Sequence, residues 1–267
     1  VNRAVITSRS NPLIRELRAA LRSAHRPPLC AVEGWRLLEA AADAGVRLET
    51  VLLIPEAARD PRWARLGERL RSAGAREVIV APRVLSALTQ AESPQGVLGV
   101  AARPPAAAPD GLRDPQALAV ALDGVQDPGN VGTILRTAAA AGATVGLTIG
   151  AAADPFGPKA LRASAGAAFR LPLLHFRSAD DAAAALRDAG VRVLVADPRG
   201  ERLPAQVSFA RPVALVLGSE GAGASPIWMR AGAARVRLPI AGPVESLNVA
   251  ASAAVLLYLA AGLLSPR

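Results

Sequence analysis

ALAVALDGVQDPGNVGTILRTAAAAGA, from Ala117 to Ala143, holds the reading that decides the fold. Ala117 to Asp123 is an unbroken apolar run of strand length. It lacks the alternation of a half-exposed strand, and such runs belong to parallel sheets covered on both faces. A turn rich in Gly, Asp and Pro follows, and from Val131 to Ala141 the apolar residues recur at helical spacing. Strand, polar turn and helix in so short a span open a βα unit.

The alternation continues on both sides. Downstream, TVGLTIG (Thr144 to Gly150), VRVLVA (Val191 to Ala196), VALVLG (Val213 to Gly218) and ARVRLP (Ala234 to Pro239) read as further strands. Helices are expected over Pro158 to Ala168, Ala179 to Ala189 and Asn248 to Leu264. Upstream, LETVLLI (Leu48 to Ile54), REVIV (Arg76 to Val80) and GVLGVA (Gly96 to Ala101) read as short strands, and LCAVEG places Cys30 in another. Helical patterns cover Pro12 to Ala24, Trp35 to Ala44 and Pro61 to Ala73. The stretch RPPAAAPDGLRDPQ, from Arg103 to Gln116, has no apolar period and reads as a linker. The expectation is a small α/β domain over residues 1–103, a linker over 104–116 and a parallel α/β domain over 117–267.

Composition narrows the function. Lys+Arg number 31 against 22 Asp+Glu, a net charge of +9, and Lys159 is the one lysine, so the excess is almost wholly guanidinium. Guanidinium pairs with phosphate through two parallel hydrogen bonds, which fits a polyanionic partner. Aromatics make up only 3% of the chain, which argues against gripping single strands by base stacking. One cysteine, Cys30, excludes an intrachain disulfide and Cys-pair zinc sites and fits a reducing compartment. With His25 and His175 as the only histidines, His-rich metal sites are also disfavoured, and no metal is expected. No N-terminal stretch has the order of a signal peptide, and the uncharged run from Val249 to Leu264 is short of the ~20 residues that span a bilayer. A soluble, cytoplasmic protein is expected.

Two nucleotide-binding readings fail on spacing. In GAAADPFGPKA, Pro158 separates Gly157 from Lys159, and Ala160 stands where a phosphate loop needs Ser or Thr. In GSEGAG, Gly218 to Gly223, the glycines occupy the first, fourth and sixth places, whereas the dinucleotide fingerprint needs the first, third and sixth.

Three polar islands close strands of the second half: DGVQDPGNVGTILR after the first, GSEGAG after Leu217, and LPIAGPVESLNVAAS from Leu238 to Ser252. In this order they resemble the three motifs of the SpoU (TrmH-like) family of RNA ribose 2′-O-methyltransferases, in the SPOUT superfamily. ITSRSNPLIRELRAAL from Ile6 and LCAVEGWRLLEAA from Leu29 resemble the L30e-like substrate-binding domain common in that family. The resemblance implies a SPOUT parallel α/β sheet with a C-terminal trefoil knot, S-adenosylmethionine as methyl donor, a homodimer formed through the knotted domain, and RNA as substrate, ribosomal before transfer RNA. A methyltransferase of bases within the superfamily is disfavoured, since the Asn130 and Arg136 pair belongs to the ribose-modifying branch. A silent RNA-binding factor is the alternative from another class.

The resemblance assigns catalysis to Asn130, Arg136, Glu220, Ser246 and Asn248. It places the methyl donor against Gly218, Leu238, Ile240 and Leu247. Read by themselves, Asn130, Ser246 and Asn248 could each be a plain helix cap, and Glu220 a solvated loop acid. Gly218 has no side chain and would allow a ligand close to the backbone. A ribose hydroxyl is a weak nucleophile and needs activation, yet a guanidinium is a poor proton acceptor at neutral pH. Arg136 is therefore expected to clamp the phosphate beside the target ribose. Arg15, Arg18, Lys159, Arg162 and Ser164 are candidates for holding RNA backbone. Cys30 is expected to be inert core.

Overall fold

The structure is a computed structural model that describes residues 4–22, 28–90 and 93–265. The chain divides into two compact units, one of residues 1–105 with 156–169, the other of residues 106–155 with 170–267. His25 and Ala24, the expected end of the first helix, lie outside the described residues.

In the first unit the elements run α1 (Pro12–Arg22), β1 (Leu29–Glu33), α2 (Trp35–Asp43), β2 (Leu48–Leu53), α3 (Pro55–Ala58), α4 (Pro61–Ser72), β3 (Arg76–Ile79), α5 (Pro82–Ser86) and β4 (Val97–Ala102). The strands order as β1-β4-β2-β3. β4 runs antiparallel to both neighbours and β3 runs parallel to β2. Ile14, Leu52, Val80, Leu85 and Leu98 fill one side of this sheet. Asp60 caps α4, its side chain accepting from the Arg62 N–H, and Pro61 opens the helix.

In the second unit come β5 (Leu118–Asp123), α6 (Pro128–Ala140) and β6 (Val145–Ile149). The chain then crosses to the first unit for α7 (Pro158–Ser164), and returns for β7 (Leu173–Phe176), α8 (Ala179–Asp188), β8 (Arg192–Ala196), β9 (Val213–Gly218), α9 (Ile227–Arg230), β10 (Ala234–Val236) and α10 (Val249–Ala260). The six strands order as β10-β8-β9-β5-β6-β7, every pairing parallel. β5, β6 and β9 are buried along their whole length, as their apolar runs demand.

Three local differences from the sequence reading have clear causes. β7 lies within LPLLHF, where Pro172 and the flanking Arg170 and Arg177 hide a short strand. α7 stops at Ser164, because Ala165 and Gly166 take left-handed backbone conformations. α10 stops at Ala260 rather than Leu264. Gly262 is left-handed (φ 71°), and the N–H groups of Gly262 and Leu263 turn back onto the carbonyls of Leu259 and Tyr258. Among the described residues, no helix is long and apolar enough to cross a membrane.

Candidate functional site

Strand order creates the site. From β5 the chain moves outward to β6 and β7; from β9 it moves the other way, to β10. Loops leaving adjacent strands in opposite directions open a crevice at the strands' carboxyl ends, the usual ligand position in such sheets. Asp123 and Gly218, the last residues of β5 and β9, are paired in register at that point.

Helix caps orient the polar groups. Asp127, rather than Asn130, caps α6: its carboxylate accepts from the Asn130 N–H at 2.9 Å, with Pro128 opening the helix. The Asn130 side chain is thereby released for tertiary contact. Asn248 does cap α10, its Oδ1 accepting from the N–H groups of Ala250 (2.8 Å) and Ala251 (3.4 Å). With that oxygen committed, Asn248 Nδ2 donates to Asn130 Oδ1 at 3.2 Å. Asn130 Nδ2 must then donate onward, and it does so to Glu220 Oε1 at 2.8 Å. One cap thus sets the direction of both amides.

Glu220 also receives the backbone N–H groups of Gln126 (3.3 Å) and Asp127 (3.4 Å). Burial pushes its carboxyl up, but the hydrogen bonds from Asn130, from its own backbone and from Gln126 and Asp127 outweigh that and hold it below the ordinary carboxylate value. Glu220 is therefore an ionised, fully engaged acceptor and no general acid at neutral pH.

The reason for Gly218 differs from the sequence expectation. A Cβ there would lie 2.0 Å from the Ala224 nitrogen, so the room is taken by this chain's own backbone rather than by a ligand. The loop returns because Ser219 and Gly223 exchange two backbone hydrogen bonds of 3.0 Å. Asp123, which the sequence reading passed over, holds that loop from below: its buried carboxylate accepts from the Ser225 N–H (2.6 Å) and Trp228 Nε1 (2.8 Å). The signal was present, since an acid ending a fully apolar strand must find donors.

Arg136 and Ser246 stand outside the Asn248–Asn130–Glu220 chain. Arg136 lies on an exposed face of α6, six residues beyond Asn130, which is about 9 Å along the axis and about 120° around it. Ser246 is exposed. Of the expected methyl-donor residues, Leu238 and Ile240 are half-buried and Leu247 is 43% exposed. From Leu238 to Leu247 no backbone N–H donates within the described chain. Half-buried and exposed aliphatic side chains interleaved with unspent amide donors fit an adenosine with its polar edge and apolar faces. A separate cavity of about 380 Å³ opens at the ends of β5 and β6, between Asp123, Gln126, Gly150, Ser219 and Pro226; none of the four expected methyl-donor residues lines it.

The expected RNA contacts divide. Arg15 and Lys159 are exposed. Arg18 is half-buried, and its Nε and Nη2 are shut off from water with no hydrogen-bond partner among the described residues. Arg162 instead pairs with Glu33, whose side chain is 5% exposed and also accepts from the Gln90 N–H at 2.7 Å. Ser164 is fully buried, its hydroxyl donating to the Leu161 carbonyl at 3.0 Å. As placed, Ser164 offers nothing to a phosphate and Arg162 is occupied by structure. Among the described residues no group of three His, Cys, Asp or Glu could hold a metal.

A covered parallel sheet with this polar chain at its switch point belongs to the SPOUT class of methyltransferases. A family profile described as the SpoU rRNA Methylase family matches residues 117–258, and one described as an MRM3-like substrate binding domain matches 11–99. The chain belongs to the SpoU rRNA methylase family. It is 34% identical, over 85% of its length and 80% of the relative's, to the 23S rRNA (uridine(2479)-2′-O)-methyltransferase of Streptomyces viridochromogenes. It is 35% identical, over 65% of its length and 67% of the relative's, to the 23S rRNA (guanosine(2553)-2′-O)-methyltransferase RlmP of Bacillus subtilis. The AdoMet-bound rRNA methyltransferase of Sinorhizobium meliloti superposes with a TM-score of 0.84 at 32% identity, covering 98% of both chains.

Proposed function

We propose that this protein methylates a ribose 2′-hydroxyl of 23S ribosomal RNA with S-adenosylmethionine. The observation that carries the reading is the hydrogen-bonded chain from Asn248 through Asn130 to Glu220, which joins all three motifs at the crevice. The methyl donor supplies an electrophilic methyl group on sulfonium, and Leu238, Ile240, Leu247 and the loop amides beside them would hold it. The protein's own part is to position and to stabilise. Glu220 fixes Asn130 and the Gln126–Asp127 turn, so the crevice is preorganised before substrate arrives. Arg136, exposed and always charged, would clamp the phosphate next to the target ribose, and that phosphate would take the hydroxyl proton as the ribose oxygen takes the methyl group and the carbon–sulfur bond breaks, the donor leaving as the neutral thioether. Ser246 contacts substrate or methyl donor from the loop before α10.

The reading extends to organisation. Residues 117–267 form the methyltransferase domain, 104–116 the linker, and 1–103 the substrate-binding domain, with Arg15, Arg18 and Lys159 toward RNA. The exposure of Arg15 and Lys159 supports this. The C-terminal segment is threaded as a trefoil knot, and the protein is a cytoplasmic homodimer. The exposed Val255 of α10 and Leu263 and Leu264 beyond it support the dimer, and sedimentation checks it.

Mapping 2′-O-methyl sites in total RNA with and without the gene tests the activity. Loss of one 23S position is expected; an unchanged map overturns the reading. Calorimetry with S-adenosylmethionine separates the silent RNA-binding factor, which would bind none.

A further inference from the structure

Residues 1–105 carry sixteen arginines against ten carboxylates, and so hold six of the nine net positive charges of the chain. Two of these arginines are arranged unlike the rest. Arg9, in the loop between the Ile6 bridge and α1, donates from Nε to the carbonyl of Arg83 at 3.0 Å. Arg83, in the first turn of α5, donates from its own Nε to the carbonyl of Thr7 at 3.0 Å. The lock is reciprocal. Each side chain crosses to the other's segment, Arg9 onto Arg83 itself and Arg83 onto Thr7, and the pairing of Ile6 with Val80 fixes the two segments side by side.

Both residues are exposed, and among the described residues neither makes an ion pair. Four arginines of this unit are instead held by carboxylates: Arg62 by Asp60, Arg69 by Asp43, Arg71 by Glu77 and Arg162 by Glu33. Two guanidinium groups are thus fixed on adjoining segments with no carboxylate among the described residues on either, and the lock spends only the Nε of each. The terminal nitrogens of both forks remain for an acceptor that carries negative charge and more than one oxygen. Ser8 and Ser10, whose hydroxyls lie 2.7 Å apart on the same turn, add donors beside them.

We propose that Arg9 and Arg83 form a preorganised clamp for the phosphate backbone of the RNA substrate. This rests on the reading above that the protein acts on ribosomal RNA, and it adds a binding site distant in sequence from all three motifs. Because the side chains are already immobilised by backbone acceptors, little rotamer freedom remains to be lost on binding. Shape and charge are recognised here, and no base is read.

Filter binding of in vitro transcribed 23S rRNA to the full-length protein, across a range of salt, tests the clamp. Arg9→Ala and Arg83→Ala are each expected to weaken binding about tenfold, and the double variant to make the slope of log affinity against log salt shallower by about one. Arg9→Lys keeps the charge but loses the Nε lock, and is expected to bind less tightly than the parent. S-adenosylmethionine binding by calorimetry should be unchanged in all of them, which separates loss of the clamp from loss of fold. A parent that binds the RNA while the double variant binds equally, with the same slope, overturns the clamp and leaves the methyltransferase reading standing. A parent that binds no RNA overturns both. Micromolar binding of inorganic phosphate alone would make a free anion the ligand and overturn the proposal as stated.

Discussion

At Asn130 the difference between a helix cap and a site residue is decided by three positions. The isolated Asn before an apolar helix reads equally well as a cap, but Asp127 takes that role and leaves the Asn130 amide to join Asn248 and Glu220. Asn130→Ala should therefore cost little stability while lowering turnover by about a hundredfold or more, a loss of the size seen when one preorganised polar donor is removed. Thermal melting and single-turnover methylation separate the two effects. The same substitution removes a hydrogen bond that lowers the Glu220 pKa, so the carboxyl titrates at a higher pH in the variant. Below its own pKa the protonated Glu220 can no longer hold the turn; the acid limb of the pH–rate profile should move to higher pH in Asn130→Ala than in the parent. An acid limb that stays in place would show that Glu220 does not set it. The site was legible at this scale in residue types and spacing, but not in the direction of any hydrogen bond.

The elements add what the residues alone do not show. The second motif ends β9 in Gly218, and the sequence alone suggests room for a ligand. The loop of Ser219 to Ala224 fills that room itself. Gly218→Ala cannot be relieved by a side-chain rotation, because the clashing atoms are backbone. The loop would move, Glu220 with it, and methylation should be lost while the buried sheet keeps the protein folded, as activity and circular dichroism together would show. α7 shows the opposite correction. Its arginine and serine look like phosphate contacts in a basic, helical stretch, yet the helix packs beside β1, burying Ser164 and pairing Arg162 with Glu33. Arg162→Ala would leave a buried carboxylate with the Gln90 N–H as its main donor. A loss of about 1–3 kcal/mol is expected in urea unfolding, with RNA affinity changed less than twofold. A tenfold loss of affinity at full stability would return Arg162 to the RNA contacts.

Across the whole molecule, the proposed chemistry rests on groups that position and on a methyl donor that brings its own reactivity. No cluster of metal-binding side chains is present among the described residues. Because a sulfonium methyl is itself electrophilic, methyl transfer should proceed undiminished in excess EDTA, once the RNA has been folded and its magnesium dependence checked in a binding assay. Loss of turnover with RNA binding intact would point to a metal. The strand-forming runs, the order of the three motifs, the guanidinium excess and the family were all determined by the sequence, because apolar period, turn chemistry and charge are local properties of the chain. That β9 lies beside β5 was not. Neither was the crossing of α7 into the first unit, the joining of Asn130 to partners 90 and 118 residues away, or the locking of Arg9 to Arg83. Those depend on which buried surfaces pack together and which polar groups are then left to satisfy one another, and only the tertiary structure decides that.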